Sequence, residues 1–406
     1  MALHLALAWR NLWRNRRRTL LATVSIAFAV LVSLVMRSMQ NGSYEYMIRS
    51  AVGSYLGYLQ VHAAGYWETR TLDASIPLDG PGLDRFTSLP GITRAVPRLE
   101  CFALASKDSA TTVAQVVGVD PAGEDAMSGL ARRLTAGRYF GAGERCALVG
   151  SGVAAALGIS VGDSIVLYGE GYQGVTAAAR LPVAGIVSFP VPEMNSSLIY
   201  LPLPCAQWLL DAPDRVTAIV LMIGDPSTLG SARGEAARLA GPGCEVMTWE
   251  EMAPDLVQAI QADSAGGVLM LLILYVVIGF GIFGTVMMMT TERRREFGIL
   301  ISVGMKRWRL MAVTALEAVA IALLGAAVGV VTAIPLLWYL HLHPLALTGE
   351  AAKAMTSYGL EPVLPFSIAP GIFIAQASVV FALGLVCALY PVAVVRRLRP
   401  VATLRS

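Results

Sequence analysis

Four long apolar stretches constrain this chain more than any other feature. Thr19 to Met36, Gly266 to Met289 and Ile368 to Val395 carry no charged side chain, and Met311 to Leu340 carries only Glu317. The shortest has 18 residues, which as α-helix rises about 27 Å, close to the thickness of a bilayer's hydrocarbon core. A mean hydropathy of +0.61, with 55% hydrophobic and 15% charged residues, excludes an ordinary soluble enzyme. The expectation is a membrane protein with four transmembrane α-helices, at 19–40, 266–290, 310–340 and 368–395.

Charge fixes the expected orientation. Of 31 Lys and Arg, 15 fall in three short segments, Arg10 to Arg18, Arg293 to Arg309 and Arg396 to Arg405. Cytoplasmic flanks collect basic residues, so the three segments belong on one side: an amphipathic N-terminal segment at 1–18, a loop at 291–309 and a tail at 396–406. The large region at 41–265 and the short loop at 341–367 then lie outside. Trp9 and Trp13 share a helical face with the basic residues, as suits the headgroup level. No small-x-small site follows Met36, so the first helix reads as uncleaved. Between 41 and 265 there are 14 basic and 23 acidic residues, a net of −9, which opposes nucleic-acid binding.

The inserted region has the pattern of a folded α+β domain. Tyr58 to His62, Thr112 to Val119, Ser164 to Tyr168, Leu198 to Leu201 and Val216 to Met222 read as strands, and Cys205 to Leu210 and Ser231 to Leu239 as helices. About 220 residues of mixed elements suggest two lobes. Cys101, Cys146, Cys205 and Cys244 lie here, without a CxxC pair or zinc spacing. Four free thiols and two disulfides are both open.

The loop at 291–309 predicts a short amphipathic helix from Glu296 to Val303, with Phe297, Leu300 and Ile301 at helical spacing and Gly304 as its stop. Read from residues alone, it is either a lever moved by a cytoplasmic partner or a basic loop that only fixes topology. The run Glu292-Arg-Arg-Arg-Glu-Phe-Gly-Ile-Leu-Ile-Ser-Val-Gly-Met-Lys-Arg, followed by Glu317 and Gly325-Ala-Ala-Val-Gly329, resembles the FtsX-like permease module of ABC transporters. Trp9-Arg10-Asn11-Leu12 and Tyr390-Pro391 through Val401 are similar to that family's opening and ending. The family includes macrolide exporters and lipoprotein-releasing permeases. Leu59 to Trp67 and Ser196 to Leu210 look more like the latter.

The resemblance implies a coupling helix on which two copies of a separate ATPase act, with Glu292, Arg293, Arg295, Glu296, Phe297, Leu300, Met305 and Arg307 as contacts. It implies a second permease subunit, identical or homologous, in a bacterial inner membrane, and a lipoprotein or other amphiphile as substrate. Gly279, Gly281 and Gly284, and the Gly325–Gly329 pair, would let helices approach closely. In lipoprotein-releasing permeases a hairpin can reach toward a carrier chaperone; here Tyr168 to Arg180 lacks the proline-rich apolar arm that contact expects.

Absent motifs sharpen this. Lys107, Lys306 and Lys353 are followed by Asp, Arg and Ala, so none ends a phosphate-binding loop, and ATP and Mg belong on the partner. No catalytic dyad, metal site or bound cofactor is expected. His341 and His343 suit an interfacial position better than a metal. A carboxylate inside a span costs on the order of 2.5–3.5 kcal/mol near the bilayer centre, so Glu317 either snorkels toward Arg309 or Arg10 or takes part in coupling. Two alternatives remain: an exporter of peptides or hydrophobic drugs with an outer duct, and a signal relay controlling a cell-wall hydrolase.

Overall fold

The structure is a computed structural model that describes residues 16–78, 80–350, 352, 355 and 362–397. The expected amphipathic segment before Arg16 and the tail after Arg397 lie outside the described residues. Among the described residues, four helices are long and apolar enough to cross a membrane: α1 (Arg16–Ala51), α5 (Pro254–Glu292), α7 (Arg307–Leu342) and α8 (Pro370–Arg397).

The helices outrun the apolar stretches that announce them. α1 continues past residue 40 to Ala51, and α5 begins at Pro254 rather than 266. Hydropathy marks the part of a helix that lipid can accept, whereas the hydrogen-bonded backbone ends only where a breaker acts. From Arg37 to Ala51 there is no proline, and Pro254 sits in the first turn, where its missing N–H costs nothing. At roughly 1.5 Å per residue, the 39 residues of α5 measure about 58 Å, well beyond a bilayer core.

The chain divides into two compact units, residues 1–45, 259–346 and 363–406 in one and 46–258 with 347–362 in the other. In the first, α1, α5, α7 and α8 close on a core that includes Val30, Leu34, Ile282, Ile321 and Val380. Small residues set the spacing. A Cβ on Gly325 would lie 2.6 Å from Ile26, and one on Gly329 2.7 Å from the Ala27 carbonyl, so α7 meets α1 backbone to backbone there. The segment before α8 is strapped to this bundle: Ser38 Oγ donates to the Ser367 carbonyl at 2.6 Å and Ser367 N to the Ser38 carbonyl at 2.9 Å. His341 Nδ1 meets the Phe366 carbonyl at 2.6 Å, and no group that could hold a metal occurs among the described residues.

The second unit is built on one sheet. Strands β3 (Ile92–Lys107), β4 (Ala110–Val119), β9 (Leu198–Pro202), β6 (Ala147–Gly150), β8 (Thr176–Val187) and β7 (Ser164–Glu170) pair in that order, and β7 returns to β3, closing a ring. Closure is possible because β3 is 16 residues long. Its second half joins the ring, while Ile92 to Arg98 pairs with β11 (Ala218–Ile223), which leads on to β1 (Leu59–Ala63) and β12 (Cys244–Thr248). β5 (Leu134–Gly137) adds to β8, and β2 (Ile76–Pro77) pairs with β10 (Arg215–Val216) as a small separate ladder. Helices α2 (Pro121–Ser128), α3 (Leu203–Leu209) and α4 (Leu229–Ala240) cover it. The sheet is continuous, so in place of the expected two lobes there are, among the described residues, three core clusters on one scaffold. All five strand expectations and both helix expectations fall on observed elements, while the long β3 and β8 were not expected.

After α1 the chain makes a π-turn, Val52–Leu56, a conformation that needs outside support. Arg98 Nη1 donates to the Tyr55 carbonyl at 2.6 Å, Arg133 Nη2 to Ser54 Oγ at 3.1 Å, and Tyr55 Oη to Glu100 at 2.7 Å. Arg98 in turn makes two hydrogen bonds to Glu124, at 2.9 and 2.8 Å, with both side chains fully buried.

Candidate functional site

The loop that distinguishes the sequence folds as α6 (Arg294–Ser302), two residues earlier in onset than the Glu296 expected. Arg293 breaks from α5 with φ −92° and ψ 6°. At the other end Gly304 takes φ +104°, a left-handed conformation that favours glycine, and the chain turns into α7.

Both faces of α6 are apolar, and they do different things. Phe297 is 1% exposed and packs with Leu310 of α7 and Val395 of α8, joined by Ile301 and Met305. This corrects the expectation that Phe297 is a contact for a partner: it is the anchor that holds α6 on the bundle. The opposite face presents Ile299 (46% exposed), Leu300 (37%) and Val303 (83%), and Trp308, at the start of α7, is also exposed (54%). Of the expected contact residues, Glu292, Arg295, Leu300 and Arg307 are exposed, and Arg293, Glu296 and Met305 are half-buried. Ile299 and Val303 were not in the expected set. Their i, i+4 spacing was visible in the sequence, but so was that of Phe297 and Ile301, and pattern alone does not say which pair faces in.

Glu317 finds a partner different from either one expected. Arg293 Nη1 donates to Glu317 Oε2 at 2.6 Å, and Arg293 Nε to Glu296 at 3.2 Å. Arg309 instead lies over the Trp308 ring, 5.6 Å from its centroid, and Arg10 is outside the described residues. The five glycines separate into two groups. Gly325 and Gly329 pack on α1 as described, whereas a Cβ added at Gly281 or Gly284 meets nothing within 4 Å among the described residues, and one on Gly279 meets only Leu383, at 3.7 Å.

In the sheet domain, the hairpin tip expected between Tyr168 and Arg180 is folded back. Tyr172 N donates to the Leu210 carbonyl at 2.8 Å, Gln173 N to Asp73 at 2.9 Å, and Arg215 lies 4.5 Å from the Tyr172 ring centroid. The cysteines are free thiols. Burial pushes Cys101 up to about 12 and Cys146 up to about 11, so neither is a reactive thiolate.

Four spanning helices, a large domain inserted after the first, and a short amphipathic helix between the second and third define a membrane permease subunit. Residues 19–239 match the MacB-like periplasmic core domain and residues 268–400 the FtsX-like permease C-terminal domain. The chain belongs to this family: it is an ABC transporter permease of the LolC/MacB type, with the sheet unit as its extracytoplasmic domain. It is 25% identical over 334 residues to the lipoprotein-releasing system transmembrane protein LolC of Neisseria meningitidis, covering 79% of this chain and 77% of that one. It is 23% identical over 420 residues to the macrolide export ATP-binding/permease protein MacB of Brucella abortus, spanning all of this chain but 60% of that protein. Among solved structures, the periplasmic region of MacB from Actinobacillus actinomycetemcomitans aligns at TM-score 0.37 and 14% identity, over 52% of this chain and 95% of that one.

Proposed function

We propose that this permease converts ATP hydrolysis on a separate ABC ATPase, docked on α6, into movement of the extracytoplasmic domain, and that its cargo is a lipoprotein or similar amphiphile. One observation carries the reading. α6 is fastened from behind by the buried Phe297 and presents Ile299, Leu300 and Val303 on its free face, and Arg294, Arg295 and Arg307 in the same segment are exposed as well. A solvated loop that only fixed topology would have no reason to expose three large apolar side chains. By the positive-inside bias, the basic residues of this loop and of the two terminal segments support a cytoplasmic side for all three, the side on which an ATPase would act. ATP and Mg then belong to the partner, two copies of it, beneath two permease subunits, identical or homologous; the unfilled surface at Gly281 and Gly284 suits a second subunit.

The choice of an amphiphile rests on the groove between α1 and α5. It has a volume of about 350 Å³ and is lined by Ile26, Phe28, Val32, Leu274, Val277 and Ile282, a surface for an acyl chain rather than an ion. The test is reconstitution with the cognate ATPase in proteoliposomes loaded with a triacylated lipoprotein. ATP-dependent release of that lipoprotein, lost when the acyl chains are absent, supports the reading. ATP turnover without release, or equal release of a non-lipidated protein, refutes it.

A further inference from the structure

Arg293 stands at the corner between α5 and α6, and its guanidinium touches three things at once. It donates to Glu317 on α7 at 2.6 Å and to Glu296 in the first turn of α6 at 3.2 Å, and its central carbon lies 5.4 Å from the Phe297 ring centroid. Side-chain exposure is 18% for Arg293 and 6% for Glu317. Beside the pair is a cavity of about 20 Å³ lined by Thr290, Thr314 and Pro391 among others, enough for a single water.

A pair so placed is poorly explained as a device for stability. Taking two charges out of water offsets most of their attraction, and apolar replacements of similar volume often do as well. What an ion pair adds is geometry, since hydrogen bonds have direction and apolar contacts do not. α6 needs that. Phe297, with Ile301 beside it, holds the helix along one apolar edge, and a nine-residue helix held only by such undirected contacts can roll. A second, directional tie to α7 removes that freedom.

We infer that the Arg293–Glu317 pair is a latch that fixes the roll of α6 against α7, so that a push on α6 is passed to the third spanning helix instead of being lost in rotation. The inference rests on the proposed role of α6 as the ATPase contact. Arg293 and Glu317 are positioning residues: they act through the helix that a partner would touch.

The test compares Glu317→Gln with the double replacement Arg293→Met plus Glu317→Leu. The single variant leaves Arg293 with the more exposed Glu296 in place of the buried Glu317 and is expected to lower thermal stability. The double variant is expected to keep wild-type stability, which separates the latch from a structural role. Hydrogen exchange of residues 294–302 is measured first, on the chain alone in nanodiscs. The latch predicts that α6 amides exchange at least tenfold faster in the double variant, with α7 unchanged. Exchange at the wild-type rate overturns it, whether or not any ATPase binds. In the reconstituted complex, ATPase binding should persist while lipoprotein released per ATP falls about tenfold. Full release per ATP in the double variant overturns the positioning role, and failure of the wild-type chain to bind an ATPase overturns the functional reading without touching the exchange result.

Discussion

Replacing Arg98 with methionine removes the centre of the network that holds the π-turn. Arg98 is fully buried and bonds Glu124 twice, at 2.9 and 2.8 Å, and the Tyr55 carbonyl at 2.6 Å. Glu124 is also fully buried, and Glu100, 3% exposed, lies 4.0 Å away. Loss of the guanidinium leaves a buried carboxylate without its counter-charge, which costs about 3–5 kcal/mol. In a domain of this size each kcal/mol moves the melting temperature by about 2–4 °C, so Arg98→Met should melt roughly 6–20 °C lower. Tryptophan fluorescence during heating in nanodiscs reads the shift, and faster amide exchange in β3 and β4 locates it. Adding Glu124→Leu removes the stranded charge and should recover most of the loss. A single variant melting within about 2 °C of wild type, or a double variant no better than the single, would refute the reasoning.

Three further outcomes follow from the same geometry. Gly329→Leu should destabilise the bundle by about 1–3 kcal/mol through overpacking against Ala27 and Val30, whereas Gly284→Leu, where an added Cβ meets nothing within 4 Å among the described residues, should leave the monomer's melting point unchanged; scanning fluorimetry of detergent-solubilised protein compares them. His62 is buried between Tyr66 and Trp67, and burial, with Arg70 nearby, lowers its pKa from 6.5 to about 3. The folded state therefore binds its proton less readily than the unfolded one, so His62 has no effect above about pH 6.5 and removes stability as pH falls from there toward 3, by up to about 1.4 kcal/mol per pH unit. A His62→Gln variant should flatten that part of the pH profile, and an unchanged slope would contradict the assignment. Finally, Leu300→Asp with Val303→Asp should release the ATPase while membrane insertion and melting stay as in wild type, because both side chains are exposed; Phe297→Asp should instead unfold α6 itself.

The membrane part was legible because hydropathy and the positive-inside bias are summed over many residues, and a single misleading position does not alter them. The strands from Leu59, Ala110, Ser164 and Leu198 were legible for the same reason, each alternating or running apolar over several residues. What the sequence left open depends on distant partners. β3 carries Pro97, Arg98 and Glu100, polar or strand-breaking residue types that hide a strand from its pattern, yet the fold buries all three and satisfies the charges with Glu124 and Tyr55. At the candidate site, the presence of α6 was evident from its periodicity, but its orientation was not. Phe297 faces inward because Leu310 and Val395, 13 and 98 residues away, form the pocket that takes it. Glu317 was recognised as needing a partner, and Arg293 was hidden because the two meet only when α5, α6 and α7 fold back on each other.

The central claim is that the free face of α6 is where an ATPase takes hold. A photo-activated crosslinker placed at Val303, 83% exposed, tests it in native membranes. One dominant product is expected, joined to an ABC ATPase and lost with the Leu300→Asp background. Crosslinks to lipid alone, or an ATPase that co-purifies undiminished with that background, would contradict it.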